Sequence, residues 1–360
     1  MKHFLRVVIA LIFIASGFVK AVDAVGFSFK LEEYFSPSVF NMSFFEKQAL
    51  PIAIIVVAFE LIFGFMLLLK IRLRLTLSVL ITLCVFFAFL TFYSAYFNVV
   101  TDCGCFGDAL KFTPWQSFWK DIALLLGLLI LWRLYRKNFN DESKGRAKNI
   151  ALLLFMIALG MVTAHGIKHE PLIDFRDYKI GTDLISEKEK IEKNPSEYKT
   201  FYSLKNEKTG EMIDVNQDDY VNNEEYWKEG SPWKIQEGKT SSKIVKQGYS
   251  SEIMKFKPES LEGIDLTHDI LAAPKAVLLF SYDPKNADRN TLEKTEKLLQ
   301  AKKDIFVLGV SNDPTTFTRI PKAMMDGTAI KTIARSNPFV LILERGKITD
   351  KIPAADYLNK

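Results

Sequence analysis

Cysteine and histidine are scarce in this chain, three and four residues out of 360. That scarcity excludes a framework of disulfides. It also excludes a zinc site built from Cys and His, because the four histidines are scattered. After Cys105 there is no cysteine at all, so the second half carries no dithiol. Charge is missing from long stretches of the first half. Apolar runs dominate residues 1–167, whereas 168–360 is polar and Lys-rich. The formal net charge is +5. Much of that excess sits in short connections beside apolar runs, where membrane topology explains it and no nucleic-acid partner is expected.

What is there begins with five apolar runs, 4–22, 50–69, 75–97, 116–135 and 149–167. Each is long enough to cross a bilayer as a helix, the form in which a backbone satisfies its own hydrogen bonds in lipid. The first run has a basic start, but Val19-Lys20-Ala21 is a poor cleavage site, so it is read as a span rather than a removed signal. Lys and Arg cluster at the N-terminus, at 70–74 and at 136–148. With five spans these lie on one side, which places the N-terminus in the cytoplasm. The other side receives 23–49, 98–115 and the whole second half. Trp115 and Trp119 then fall near the outer surface, and Trp132 near the inner one.

Two of the three cysteines stand in TDCGCFGDAL, 101–110, on the outer side of that topology. There disulfides are permitted. Cys103 and Cys105 are so close in the chain that a disulfide between them would be strained, although Gly104 lets the backbone bend sharply. Strained disulfides exchange readily. The pair is therefore a candidate redox couple, and a loop-shaping structural pair is the alternative. Cys84 lies mid-span and is not expected to reach the loop. Lys20, Glu60, Lys120 and Asp121 are ionisable groups in the outer half of the runs, where such groups face the bundle interior and find partners. Lys20 with Asp121 is the expected pair beneath the loop, and a nearby cation favours the thiolate. Snorkelling to the headgroups is the alternative for Lys20 and Lys120. Ser16, Gly17 and Gly64 allow close helix packing.

FIASGFVKAVDAVGF, EYF, ELIFG, CGCFGDALKFTPW and FWKDI together resemble the DoxX-like membrane proteins, especially their branch close to MauE. Ala24 stands where that family often has proline. The resemblance covers most of 1–135. It implies four core helices, a bundle reminiscent of vitamin K epoxide reductase, and a part in extracytoplasmic disulfide formation.

In the second half, 168–258 reads as a polar connecting segment with two hairpins, FYSLKNEKTGEMIDV and WKIQEGKTSSKIVKQG. DVNQDDYVNNEE, 214–225, has acidic residues at calcium-loop spacing, but Asp219 occupies the position that needs glycine, so it is read as a solvated acidic turn. Residues 259–360 alternate strand 276–281, helix 290–302, strand 305–310 and helix 314–325. A hairpin of 339–343 with 347–352 and a last helix near Ala354 follow. AVLLFSYDP, FVLGVSN and SNPFVLILERGKI resemble a thioredoxin-type fold, with Pro338 at the place of its cis-proline. Where that fold carries Cys-x-x-Cys, residues 281–288 have no cysteine.

The expected architecture is an all-α transmembrane bundle of four core helices plus a fifth span, followed by an α/β thioredoxin-like extracytoplasmic domain. The expected divisions are 1–135, 136–167, 168–258 and 259–360. The expected setting is a bacterial inner membrane, with the lipid bilayer and an extracytoplasmic protein as partners. The function so read is thiol–disulfide exchange at Cys103 and Cys105, with a quinone or a second protein accepting electrons. No metal site is expected. The rival reading is a non-enzymatic scaffold whose Cys-free domain binds a partner.

Overall fold

Each of the five apolar runs folds as a single helix. The computed structural model describes residues 2–100, 104, 106–139, 145–236, 240–246 and 248–360. The membrane half comprises α1 (Lys2–Val22), α2 (Ala24–Phe35), α3 (Ser43–Lys47), α4 (Ala49–Leu69), α5 (Leu73–Phe97), α6 (Pro114–Tyr135) and α7 (Arg146–Lys168). Among the described residues, α1, α4, α5 and α7 are long and apolar enough to cross a membrane. Helix α6 is not among them, because Lys120, Asp121 and Arg133 dilute its apolar stretch. It nonetheless packs in the bundle along α5 and α1.

Local chemistry sets the ends of these helices. Thr113 and Gln116 form a reciprocal capping box at the start of α6, with Pro114 in its first turn. The tight α4–α5 turn is made by Lys70 and Arg72, both in the left-handed region. Helices α1 and α4 approach closely where Gly17 lies under Leu61 and Gly64 against Phe13 and Ile14. The inner half of the bundle is apolar, with Phe13, Leu67, Leu77, Leu80 and Leu128 buried together. Helix α7 leaves Leu153, Leu154, Ile157 and Met161 exposed, as a lipid-facing surface does.

The segment 23–49, expected as a loop, holds α2 and α3. The carboxylate of Asp23 accepts a hydrogen bond from the Gly26 amide at 2.8 Å, capping α2. Phe27, Leu31 and Tyr34 recur at helical spacing and are buried. The signal was amphipathic rather than apolar, and so too weak for a span.

The chain forms two compact units, Met1–Gly181 with Lys257–Lys360, and Thr182–Phe256. The C-terminal part of the first unit and the second unit contribute the remaining elements. In the second unit these are α8 (Leu184–Lys193), β1 (Glu197–Asn206), β2 (Met212–Asn216), α9 (Gln217–Asn222), β3 (Trp233–Ile235) and β4 (Ser241–Lys246). Strands β1 and β2 are the expected antiparallel hairpin. Strands β3 and β4 are not a hairpin. Each pairs antiparallel with β1, β3 along 204–206 and β4 along 197–201, end to end on the edge opposite β2. The long β1 offers each of them a partner that the other cannot match. Residues 214–225 run through β2, α9 and a 3-10 turn. Asn216 caps α9, and Asp218 pairs with Lys199 at 2.7 Å.

The first unit continues with α10 (Thr267–Ala272), β5 (Ala276–Ser281), α11 (Arg289–Gln300), β6 (Phe306–Ser311), β7 (Lys322–Met324), α12 (Gly327–Ile333), β8 (Phe339–Glu344), β9 (Lys347–Pro353) and α13 (Ala354–Tyr357). Five strands form a mixed sheet in the order β7-β6-β5-β8-β9. The pairs β7–β6 and β6–β5 are parallel, while β5–β8 and β8–β9 are antiparallel. Val277, Leu279 and Val340 pack with Leu292 and Leu299 of α11 on one face. The Asn337–Pro338 peptide is cis.

The helix expected over 314–325 is absent; the stretch is irregular until β7. Glu296 of α11, only 2% exposed, accepts the amides of Thr318 and Arg319 at 2.9 and 3.0 Å. Those amides would otherwise serve a helix. Phe317 fills the space above Gly309, with its ring 2.5 Å from where a Cβ would stand. The helix comes later, as α12, capped by Asp326.

Residues 169–181 are stitched to the sheet. Arg176 donates to Asp174 at 2.7 Å and to the Ile333 carbonyl at 2.9 Å. Lys351 of β9 reaches Asp174 at 2.6 Å. Burial opposes ionisation of Asp174, but Arg176 and then Lys351 outweigh it and hold that carboxyl far below the usual carboxylate range. A carboxyl depressed in the folded state adds stability that is complete above its unfolded pKa, about 4, and is lost as pH falls through the folded value. Acidification from pH 5 to pH 2 should therefore loosen 169–181. Hydrogen exchange of that segment should rise with acid beyond its intrinsic pH dependence, and Asp174→Asn should flatten the rise.

Candidate functional site

The polar residues of the spans form a buried cluster at one end of the bundle. Lys20 Nζ donates to Glu60 at 2.7 Å and to the Ser16 hydroxyl at 3.2 Å. Both ionised side chains are almost wholly buried, 1% and 3% exposed. The rings of Phe87 and Phe27 face the ammonium at 4.7 and 5.3 Å. Asp121 pairs instead with its neighbour Lys120 at 2.9 Å, and Thr91 donates to it at 3.3 Å.

The expected Lys20–Asp121 pair is thus corrected: the partner of Lys20 is Glu60. The close α1–α4 packing at Gly17 and Gly64 brings Glu60 to Lys20, so this lysine does not snorkel. Lys120 keeps 24% of its side chain exposed and lies over the Phe106 ring at 5.4 Å.

The two ion pairs meet in one narrow cavity. Lys20, Glu60, Lys120 and Asp121 line it, with Cys84 at one side and Phe106 from the loop after α5. It is about the size of one water molecule. Cys84 is buried in α5 and lines the same cavity as Phe106, the residue that follows Cys105 in the chain. Cys103 and Cys105 themselves lie outside the described residues. Gly104 between them sits against Lys30 and Phe27 of α2, and Gly107 against Val19 of α1. Among the described residues no group of three or more His, Cys, Asp or Glu is arranged to hold a metal ion.

A second cluster lies where the C-terminal sheet meets the α1–α2 junction and the turn at 107–109, and nothing in the sequence announced it. Arg335, just after α12, donates from Nε to both carboxylate oxygens of Asp23 at 2.9 and 2.8 Å. Its Nη2 donates to Asp108 at 2.9 Å. Lys331 of α12 pairs with Glu32 of α2 at 2.6 Å. Tyr282, just after β5, meets Phe29 edge-on at 5.4 Å. Burial works against ionisation of both aspartates. At Asp23 the charge of Arg335 prevails and the pKa is lowered. At Asp108 burial prevails over Arg335, and the charge of Asp23 adds to it, so the pKa is raised. Pro338 belongs to the loop beside this cluster. Asn337 accepts from Ser281 at 2.8 Å and donates to the Asp283 carbonyl at 2.6 Å, tying the loop to the end of β5. The partners in this cluster are up to 312 residues apart, and no local pattern marks them.

Apolar helices around a buried charged cluster define a membrane protein. Residues 1–134 match the family model of methylamine utilisation protein MauE, so the membrane half is MauE-like. No curated protein and no solved structure matches the chain.

Proposed function

We propose that the protein is a bacterial inner-membrane, DoxX-type thiol–disulfide exchange protein whose reactive pair is Cys103 and Cys105. The observation that carries this is the position of Phe106. The residue adjoining Cys105 lines one cavity with two buried ion pairs, and its ring carries Lys120. Cations near a thiol favour the thiolate. In the exchange, a client thiolate attacks the Cys103–Cys105 disulfide, one S–S bond breaks and a mixed disulfide forms. A second client thiolate then resolves it. Two electrons pass to the pair, which leaves as dithiol while the client keeps a disulfide. The reoxidant proposed is a second disulfide-bearing protein, with a membrane quinone as the alternative acceptor.

The β-α-β unit, the β8–β9 hairpin and the Pro338 loop support a thioredoxin-like reading of 259–360. Lacking cysteine, that domain would act as a cover or adaptor. The packing of Tyr282 on Phe29 favours such a role.

The Lys and Arg of short loops support a cytoplasmic N-terminus, with α6 as an additional span and residues 168–360 outside. Intact cells treated with an impermeant reductant and then an impermeant maleimide should show labelled Cys103 and Cys105. Acid quenching before reduction should show a mixture of oxidised and reduced pair. Thr209→Cys, exposed in the second unit, should label equally well when Cys84, Cys103 and Cys105 are replaced by serine. Labelling of Thr209→Cys only after lysis would overturn the topology. A pair found in one redox state under every growth condition would overturn the exchange function.

A further inference from the structure

Arg335 contacts two carboxylates that belong to different parts of the membrane half. Asp23 ends α1 and caps α2. Asp108 lies in the 3-10 turn Gly107–Ala109, after the cysteine loop. The guanidinium is 5% exposed, and its five N–H donors in a fixed planar fork let it hold both carboxylates in a defined geometry. It also donates to the Lys331 carbonyl, which fixes it to the end of α12. Its face lies over the Phe29 ring at 5.7 Å. Lys30 and Arg176 also act on the charge of Asp108.

We propose that Arg335 is a positioning residue: it ties the turn after the cysteine loop to the α1–α2 junction, so that docking of the C-terminal sheet sets the arrangement of the outer loops. Three residues of chain place Asp108 within about 11 Å of Cys105, Cα to Cα. The tie therefore acts at short range on the loop that carries the pair. Where it concerns thiol chemistry, the proposal rests on the function proposed above. Where it concerns the turn, it does not.

The turn has its own reporters, because Gly107 and Ala109 donate their amides to the Gly104 and Phe106 carbonyls, both at 3.1 Å. Hydrogen exchange should be measured on the full-length protein in lipid nanodiscs. Arg335→Ala should speed exchange across 106–110 by tenfold or more, and across 23–28 as well. Asp108→Asn keeps the Asp23 contact, and should loosen 106–110 alone. Lys331→Ala, which removes the contacts to Glu32 and to the Phe29 and Tyr282 rings but none to Asp23 or Asp108, should leave 106–110 unchanged. If 106–110 exchanges at the wild-type rate in both Arg335→Ala and Asp108→Asn, the positioning role is wrong.

A second readout separates positioning charge from simple loosening. The alkylation rate of the reduced pair rises with pH through a midpoint. Arg335→Ala removes a positive charge and should move that midpoint up. Asp108→Asn removes a negative charge and should move it down. The expected size is about 0.3 to 1 pH unit, from Coulomb's law at roughly 10 Å between the dielectric of water and that of a protein surface. Shifts of the same sign in both variants would overturn the electrostatic link to the thiols. A wild-type pair that never exchanges with a disulfide would overturn the proposed function and leave the exchange result on 106–110 standing.

Discussion

Glu60→Ala should cost the bundle about 3–5 kcal/mol, the typical penalty for stranding one buried charge. The Lys20 ammonium would keep the Ser16 hydroxyl and two aromatic faces, but lose its directly bonded carboxylate, with Asp121 across the cavity already paired to Lys120. The cost should show as a large drop in unfolding midpoint when purified protein is titrated with SDS in mixed micelles. Glu60→Gln should cost less, because an amide oxygen still accepts from Lys20. The double variant Lys20→Met with Glu60→Leu should recover most of the loss, since replacing both partners removes the unpaired charge. A double variant as unstable as Glu60→Ala would mean that the pair is held for packing around Gly17 and Gly64 rather than for charge. A Glu60→Ala variant with wild-type stability would mean that water reaches the ammonium.

Cys105→Ser should convert a transient exchange into a trapped one. With Cys105 gone, the Cys103 thiolate attacks the disulfide of the reoxidising protein, one thiolate of that protein leaves, and no second thiol of the pair remains to release the mixed disulfide, which should accumulate as a reducible shift in mass on non-reducing gels. Cys103→Ser should trap less if Cys105 is the resolving thiol, and more if the roles are reversed. The double variant should trap nothing, and full loss of exchange is expected in it. If each single variant and the double variant support growth and client oxidation like wild type, the loop is structural. Cys84→Ser serves as the control, because exchange by the outer pair does not require it. Mixed disulfides that vanish in Cys84→Ser would assign the reactive thiol to the cavity instead.

The membrane half was legible because its signal is local. A run such as 50–69 declares a helix without reference to anything else, and the observed ends differ by a residue or two. The strands 276–281 and 339–343 were legible for the same reason, being short apolar runs between turn residues. Helix α2 was missed because its apolar residues are spaced, not continuous, and the capping carboxylate of Asp23 is meaningful only once the helix exists. The false helix at 314–325 failed to tertiary competition, since Glu296 takes the amides of Thr318 and Arg319. The site divides along the same line. The cost of charge in lipid favoured an inward turn of Glu60 and Asp121, while for Lys20 and Lys120 it left snorkelling open; Lys20 is buried and Lys120 stays partly exposed. Which carboxylate Lys20 meets depends on how α1 and α4 pack, and sequence spacing does not encode that. Arg335 was invisible because its partners are read from loops two and three hundred residues upstream.

That distance also fixes an order of events. Asp23 and Asp108 leave the ribosome 312 and 227 residues before the arginine that neutralises them. At roughly 5–20 residues per second of synthesis, the α1–α2 junction waits about 15 to 60 seconds for its counter-charge. Once α7 has emerged the membrane helices are complete, yet for the rest of that interval the two carboxylates still lack their guanidinium partner. The outer loops are therefore finished last. A chain that stalls before Arg335 leaves Asp23 and Asp108 without the side chain that joins them.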